Sequence, residues 1–360
     1  MARSITQTPP APPADTGSES VVLDKFSGIK NTVTLERLKP QELYVGRNID
    51  VDDAGQIHRR RGYVSVSSVP HSSLFTADDG RVFGVRDGAL GIIRPDYSFV
   101  TLLPGIGDAP LAYVQVGGII YFSSIHNSGQ IDIYTNEVKP WGVVGGANMW
   151  LSPVVNPTET LAPIQGKLLH APQRAQFLTY YNGRIYMAVG NVLWATELYL
   201  YNYVDTTRTY MTFENDITGL GTVSDGIYVG NQTGVWFLSG PSFSEFKRVN
   251  GMNEGVIPGS MIVVSSELAD PHNMDQPVEA KNALLFMTIH GLCIGQDGGH
   301  TFNLTQNHFW FPNAVSAAVT WRRQDGVNQY LGVLDSQGTP SEGARIGDYV
   351  DAQIIRGKGV

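Results

Sequence analysis

Short turns that contain glycine recur along this chain from Phe75 onward, and they constrain its fold more than any other feature. In the first four copies, an Asn, Asp or small residue and a glycine precede a β-branched or aromatic pair, and a second turn and a second apolar run follow; the fifth copy is degenerate and the sixth matches only in part. Asn-Gly and Asp-Gly supply the positive φ angles that a tight hairpin needs. The six copies lie near Gly80, Gly118, Gly183, Gly226, Asn282 and Gly326. The pattern predicts a series of hairpins or short meanders.

The spacing of these copies indicates how the hairpins are grouped. Successive copies lie 38, 65, 43, 56 and 44 residues apart, and one propeller blade takes about 40–50 residues. Residues 141–172 are the clearest insertion within the longest interval. We therefore predict an all-β, β-propeller-like protein of about five to seven small antiparallel sheets, because closing such a ring hides strand edges. A strand at 62–68 is expected to pair with a late strand at 330–335 to close it.

The chain is expected to have four parts. The predicted boundaries are a flexible Pro-rich arm at 1–22, a distinctive segment with assembly contacts at 23–60, the propeller-like domain at 61–345, and a C-terminal tail at 346–360. The arm has no apolar core of the kind that a secretory signal needs. Residues 34–50 have helical potential that Pro40 interrupts, and a hairpin follows.

Composition narrows the class of protein. Hydrophobic residues make up 42% of the chain and charged residues 16%, which argues against disorder and against a charged helical bundle. The net charge of −8 disfavours attraction to nucleic acid or to an anionic membrane. Cys293 is the single cysteine, so no internal disulfide is possible, which fits a reducing cytoplasm. No apolar run approaches the ~20 residues of a membrane span.

The stretch "NIDVDDAGQIHRRRGY" (48–63) superficially resembles a calcium-binding loop. Counted from Asp50, the fifth position is Ala54, which has no ligand atom, and the twelfth is Arg61, where the bidentate glutamate belongs. Calcium binding is therefore disfavoured. The alternation on both sides of Asp-Asp-Ala-Gly indicates a hairpin with an Asp/Gly turn.

A second cluster of potential metal ligands lies near the C-terminus. His290, Cys293, His300 and His308 fall within nineteen residues. Zinc sites usually contain tighter pairs, and residues three apart on a strand point to opposite faces. The sequence therefore predicts no metal site here.

The stretch "GQDGGHTF" (295–302) resembles the Asp-box of sialidase-type propellers. Asp297, Gly299, Thr301 and Phe302 match that motif, and Gly295 replaces its serine. In that family the box is a structural turn between blade strands, distant from the active site. An ordinary Asp-Gly-Gly turn explains the same residues.

Catalytic motifs are not found in the sequence. There is no G-x-S-x-G elbow, P-loop or dinucleotide-binding glycine motif. The Arg-Ile-Pro signature of sialidases has no match either, since Arg94 directly precedes Pro95. We expect neither catalysis nor a cofactor.

Three consecutive arginines, Arg59, Arg60 and Arg61, form the most basic stretch of the chain. On a strand, Arg59 and Arg61 would share one face and Arg60 the other. A solvated or salt-bridged strand end explains such a run. A contact with an acidic neighbouring subunit also explains it, because the guanidinium fork suits carboxylates. Phe26 is a further candidate for subunit contact.

Residues 26–63 also carry a longer pattern. Its matching positions are Phe26, Gly28, Asn31, Arg37, Leu38, Asn48, Asp50, Asp52, Gly55, Arg61, Gly62 and Tyr63. In this order they resemble the opening of a group of tailed-bacteriophage virion proteins. With a propeller-like remainder, the chain resembles tail nozzle or tail-hub proteins of short-tailed phages. Nozzle proteins are often longer, so this chain would lack their additional domains.

The resemblance implies a structural protein of the virion tail, assembled in the host cytoplasm. Copies would form a ring, expected to be a hexamer, below the portal and adaptor, and DNA would pass through it during ejection without specific binding. A negative chain suits this role, because acidic walls repel phosphates. Two alternatives remain: a tail-tip or baseplate propeller that binds the host surface through aromatic loops such as 307–313, and a sialidase-like enzyme acting on glycans.

Overall fold

The computed structural model describes residues 25–46, 49–51, 55–59, 64–142, 169–265, 282–324 and 327–336. Helical structure in this part of the chain is limited to three 3₁₀ turns: η1 (Leu35–Arg37), η2 (Phe243–Glu245) and η3 (Asp297–Gly299). The predicted arm, the C-terminal tail and nearly all of the 141–172 insertion lie outside the described residues.

The first four strands precede the body of the protein. β1 (Gly28–Ile29) pairs in parallel with β2 (Glu42–Leu43). β3 (Ile49–Val51) pairs with β4 (Ile57–Arg59) in an antiparallel hairpin. The hairpin predicted from the Asp/Gly turn is therefore confirmed.

Five four-stranded antiparallel sheets follow in chain order within the described residues. Sheet I contains β5 (His71–Thr76), β6 (Val82–Arg86), β7 (Ala89–Ile93) and β8 (Phe99–Leu103). Sheet II contains β9 (Ala112–Val116), β10 (Ile119–Ser123), β11 (Ser128–Asp132) and β12 (Val138–Pro140). β13 (Leu169–His170) pairs with β17 (Val204–Asp205) as a small accessory sheet.

The remaining sheets continue the same pattern. Sheet III contains β14 (Phe177–Tyr181), β15 (Arg184–Val189), β16 (Val192–Ala195) and β18 (Tyr210–Thr212). Sheet IV contains β19 (Ile217–Val223), β20 (Gly226–Asn231), β21 (Val235–Ser239) and β22 (Lys247–Met252). Sheet V contains β23 (Ile262–Ser265), β24 (Asn282–Thr288), β25 (Gly291–Gly295) and β26 (Thr301–Asn303). The long hairpin of β27 (Ala314–Gln324) and β28 (Val327–Ser336) comes last.

The glycine-containing copies correspond to equivalent strands. The first five copies supply the second and third strands of sheets I to V, and the sixth supplies β28, the second strand of the last hairpin. At the β14–β15 turn, Asn182 has φ 44° and Gly183 has φ 79°, as a tight hairpin requires. The predicted hairpins are confirmed: the first five form the middle of four-stranded meanders, and the sixth contributes the second strand of the two-stranded last hairpin.

The hydrophobic core is divided into five clusters, and each cluster lies between neighbours along the chain. Phe83 and Ile120 join sheets I and II, and Tyr121 and Ile185 join sheets II and III. The clusters around Leu193 and Ile227, around Tyr228 and Phe286, and around Met287 and Tyr330 join the remaining neighbours. Small sheets packed face to face in succession define an all-β, β-propeller-like fold. We call this body the wheel.

The strand directions give the wheel two distinct ends. From sheet II onward, the first strand of each sheet contacts the first strand of the next sheet or hairpin. Since successive strands run antiparallel, the turns between first and second strands and between third and fourth strands share one end, which we call the turn end. The turns between second and third strands and the connections between sheets share the other, the crossover end.

Two predictions about the N-terminal region are wrong. The helical potential of residues 34–50 is realised only in η1, because Thr34 and Leu38 on either side have extended backbones and Pro40 prevents continuation. The closing strand expected at 62–68 is not formed by the described residues 64–68. Among the described strands, residues 330–335 pair with β27, since the sixth glycine-containing copy forms its own hairpin.

Candidate functional site: the N-terminal block

The described residues of 25–59 form a small unit, which we call the N-terminal block, that attaches to the wheel. The Phe26 backbone N–H donates to the Gly55 carbonyl at 2.7 Å, which ties the start of the block to its hairpin. Lys30 Nζ lies 3.1 Å from Glu42 Oε1 across the β1–β2 pair. The pKa of Glu42 is lowered mainly by its hydrogen bond from the Lys39 backbone, so its carboxylate stays charged in this pair.

Asn31 makes most of the hydrogen bonds that attach the block to the wheel, and the neighbouring Thr32 hydroxyl adds one by donating to the Asn307 carbonyl. Asn31 Nδ2 donates to the Trp310 carbonyl at 3.1 Å, and the Trp310 N–H donates to Asn31 Oδ1 at 2.8 Å. The Asn31 N–H also donates to the His308 carbonyl at 2.9 Å, and Ile29 packs against the core between sheet V and the last hairpin. Residues 304–313 connect sheet V to the last hairpin, so the block attaches at the crossover end.

The block is poorly buried for a folded segment. None of its described residues is buried, and Leu35, Val45 and Ile57 are exposed hydrophobic side chains. The block can therefore gain burial from a partner surface.

The predicted subunit-contact residues differ in their exposure and in their contacts. Arg59 is exposed at the end of β4, opposite Ile49 in the register. Phe26 is half-buried, and its backbone holds the hairpin. Arg60 and Arg61 lie outside the described residues. The structure thus leaves Arg59 available to a partner and gives Phe26 a role inside the block.

The residues that resemble an Asp-box lie at the turn end and join sheets IV and V. Asp297 and Gly299 belong to η3, between β25 and β26. Asp297 Oδ1 accepts a hydrogen bond from the Ser224 N–H at 3.0 Å, and the Gly298 N–H donates to Asp225 Oδ2 at 2.8 Å. Two neighbouring turns therefore exchange carboxylate–backbone bonds.

The other two box residues lie on β26. Thr301 Oγ1 donates to the Gly251 carbonyl of β22 at 2.6 Å, a second bond between the same two sheets. The Phe302 side chain is partly exposed. All four residues are placed for a structural role, and none faces a reactive group.

A cleft of about 510 Å³ opens beside this turn at the turn end, lined by residues of sheets III and IV and by Asn282. Its lining includes one carboxylate, Asp225, and no cationic side chain. Burial raises the pKa of Asp225, and the Gly298 N–H opposes that effect. Tyr181 Oη and Asn182 Nδ2 donate to backbone carbonyls across the cleft, so its polar groups mainly join sheets.

Cys293 and His290 are linked through Thr288, whose hydroxyl lies 3.9 Å from Cys293 Sγ and donates to Glu254 Oε2 at 2.9 Å. Cys293 is buried in the core between sheets IV and V, and burial raises its pKa to about 12, so it is an unreactive thiol. His290 Nδ1 lies 3.4 Å from Glu254 Oε2. Over the described part of the chain, no three His, Cys, Asp or Glu side chains converge as metal ligands would. The described residues also contain no helix long and apolar enough to cross a membrane.

Two features of these surfaces could not be found from the sequence. The Asn31–Trp310 pair spans 279 positions along the chain, and no local pattern links the two residues. The bonds from the Ser224–Asp225 turn to η3 span 73 positions.

Comparison with known proteins gives a fold resemblance only. No family model and no curated protein sequence matches this chain. The extracellular domain of the putative one component system BT4673 from B. thetaiotaomicron matches 78% of this chain and 33% of its own, at 9% identity and a TM-score of 0.41. This chain thus spans about a third of that protein.

Two further solved structures cover more of their own length. The Neurospora crassa Pan2 WD40 domain has 12% identity and a TM-score of 0.40, with coverage of 74% of this chain and 76% of that chain. A virginiamycin B lyase from Staphylococcus aureus, in a catalytically inactive variant, has 10% identity and a TM-score of 0.40, with coverage of 79% and 84%. Because these values are low, the fold is assigned from the sheets themselves and no function is transferred.

Proposed function

We propose that this chain is a structural protein of a phage tail, whose copies form a nozzle or hub ring that continues the DNA channel. The observation that carries the proposal is the N-terminal block. The described residues of the segment that resembles the opening of tailed-phage virion proteins form one unit, and they expose apolar and basic side chains without a buried residue among them. A segment of this kind gains burial from a neighbouring subunit.

The charge of the chain supports a channel that DNA crosses without stopping. A net charge of −8 repels phosphates, so the genome passes without specific binding. The partners under this proposal are further copies of the chain, expected to be six in a ring, with portal, adaptor or other tail proteins above and below. The protein resides in the virion and assembles in the host cytoplasm. The role is structural, without catalysis or a cofactor.

Receptor binding at a tail tip is the second candidate, and loop 307–313 was its expected contact. Phe309 and Phe311 are buried and stack with ring centroids 5.6 Å apart. Trp310 is half-exposed, and its backbone is bound by Asn31. That loop anchors the N-terminal block, so it does not favour the receptor function over the ring.

Electron microscopy of the purified particle tests the proposal. The expected result is a closed ring of six copies on the tail axis, with the DNA path through it. Copies at the distal tip in threefold arrangement would favour receptor binding instead. Copies absent from the particle would contradict both functions.

A further inference from the structure

Exposed tyrosines mark the turn end of the first three sheets. Tyr97, Tyr134 and Tyr199 lie in the connections between the third and fourth strands of sheets I, II and III. Their exposed fractions are 55%, 82% and 67%, and Leu198 and Leu200 beside the last are also exposed. We call residues 94–98, 132–137 and 197–200 the turn rim.

The backbone of the turn rim holds two of these tyrosines in an unfavourable conformation. Tyr97 has φ 63° and Tyr199 has φ 57°, where a non-glycine residue costs about 1 kcal/mol or more. Glycine or asparagine would satisfy the turns at lower cost, and the exposed rings add little to the core. Strain that stability does not explain points to a role for the side chains in binding.

Two of the three rings, those of Tyr134 and Tyr199, lie close to a glycine of their own sheet. A Cβ added at Gly118 would lie 2.5 Å from Tyr134 Cε2, and one added at Gly183 would lie 2.8 Å from Tyr199 Cε1. Each ring therefore lies over a glycine in the first turn of its own sheet. Rigid aromatic side chains lose little conformational entropy when a partner binds.

Carboxylates alternate with the tyrosines along the turn rim. Asp96 Oδ1 accepts hydrogen bonds from the Ser98 N–H and hydroxyl, and Asp132 Oδ1 accepts from the N–H groups of Tyr134 and Thr135. These bonds lower the pKa of both aspartates, so both stay charged well into the acidic range. Glu137 adds a further exposed carboxylate, which pairs with the exposed Lys139 at 2.8 Å.

The N-terminal block has the complementary chemistry. Residues 25–59 contain six Lys and Arg against five Asp and Glu, which leaves nineteen against twenty-eight in the rest of the chain. Arg37 and Arg59 are exposed among the exposed aliphatic side chains of the block. Guanidinium groups stack on tyrosine rings and pair with carboxylates, and aliphatic side chains pack on the same rings.

We propose that the N-terminal block of one copy docks on the turn rim of the next copy. The block is attached at the crossover end and the rim lies at the turn end, so the contact joins two copies head to tail. A heterologous contact of this type closes into a ring when its rotation closes. The inference rests on the proposed ring and specifies which surfaces form it.

A charge exchange tests the contact. The block variant carries Arg37→Glu and Arg59→Glu. The rim variant carries Asp78→Arg, in the neighbouring β5–β6 turn, and Glu137→Arg, and it leaves the turn-capping aspartates intact. Sedimentation velocity at low salt should show that each variant alone associates at least about tenfold more weakly than the wild type. An equimolar mixture of the two should recover association, because each reversed surface meets a complementary one.

The control variant is Asp108→Arg, which makes one such charge reversal, half the charge change of the rim variant, at an exposed position of the crossover end and should associate as the wild type does. Wild-type oligomers that both reversals leave unchanged would overturn the inference but not the ring. A wild type that stays monomeric at every concentration would overturn both. Reversals that keep the oligomer but abolish adsorption to host cells would make the rim a host-binding surface and overturn the inference.

Discussion

Sheet IV and the N-terminal block are held in place by opposite kinds of contact. All six residues of β20 are buried, and the side chains around them form continuous cores with the sheets on both sides. In the block, none of the described residues 25–59 is buried, and Asn31 provides the main polar attachment.

The difference determines which region folds independently. Complete burial of one large apolar side chain contributes about 1.5–3 kcal/mol, whereas one intramolecular hydrogen bond contributes about 0.5–1.5 kcal/mol. Sheet IV is stabilised by the burial of many apolar side chains, whereas the block is attached mainly by a few hydrogen bonds. The block therefore depends on the wheel and opens before it.

Truncation of the core gives the largest expected effect. Phe286 is fully buried between sheets IV and V, so Phe286→Ala should reduce the free energy of unfolding by about 3–5 kcal/mol. The matched variant Leu35→Ala removes an exposed side chain of the block and should change it by less than about 0.5 kcal/mol. Urea unfolding measures both. Similar losses for the two variants would remove the distinction between the regions.

A backbone contact gives the next effect. Gly259 has φ +78°, and a Cβ there would lie 2.1 Å from the Ala317 carbonyl oxygen of β27. Gly259→Ala should cost about 2–3 kcal/mol, because the clash adds to the backbone strain. Gly80 has φ +84° but nothing within 4 Å, so Gly80→Ala should cost only about 1 kcal/mol. Equal costs in thermal unfolding would show that sheet V and the last hairpin are not closely packed.

Removal of the Asn31 anchor should affect the block and spare the wheel. Asn31→Ala loses both bonds to Trp310 and should weaken attachment by about 1.4 kcal/mol. Trypsin cleavage after Arg37 should then accelerate about tenfold, since cleavage follows the open population. The urea midpoint should stay unchanged. A lower midpoint with an unchanged cleavage rate would mean that the block and the wheel unfold together.

The smallest effect concerns pH. Burial raises the pKa of Asp225 in the folded protein. Ionisation of Asp225 therefore has no cost to folding at a pH below the pKa of this carboxyl in the unfolded chain. The folded protein loses stability as the pH rises through the higher pKa that Asp225 has in the folded state. Asp225→Asn should slightly raise the melting temperature at pH 7 and should have no such benefit near pH 4. The amide oxygen still accepts from Gly298. A variant that melts lower than the wild type at pH 7 would contradict this.

The wheel was largely predictable because its turns are local. Asn182-Gly183 sets a hairpin by its own backbone preference, whatever the rest of the chain does. The outer strands of the sheets were harder to predict from the sequence. β12 (Val138–Pro140) is short and mostly exposed, so no alternation identifies it. The three-residue turn η1 replaced a longer expected helix because extended residues bound it on both sides.

The contact surfaces were much less predictable. Arg59 was identified as an exposed basic residue, and its position on β4 agrees with the expected hairpin. The partner of Asn31 is distant along the chain, and the tyrosines of the turn rim occupy turns whose sequence shows only turn chemistry. Which turns share an end of the wheel depends on the order of strands in every sheet, which no single segment encodes.

Residue-resolved hydrogen exchange on the isolated chain tests the central claim most directly. The amides of β20 and β24 should exchange only through global unfolding, and those of the N-terminal block should exchange through a separate opening of lower free energy. Equal protection in the two regions would show that the block is an integral part of the wheel and would contradict its separate opening.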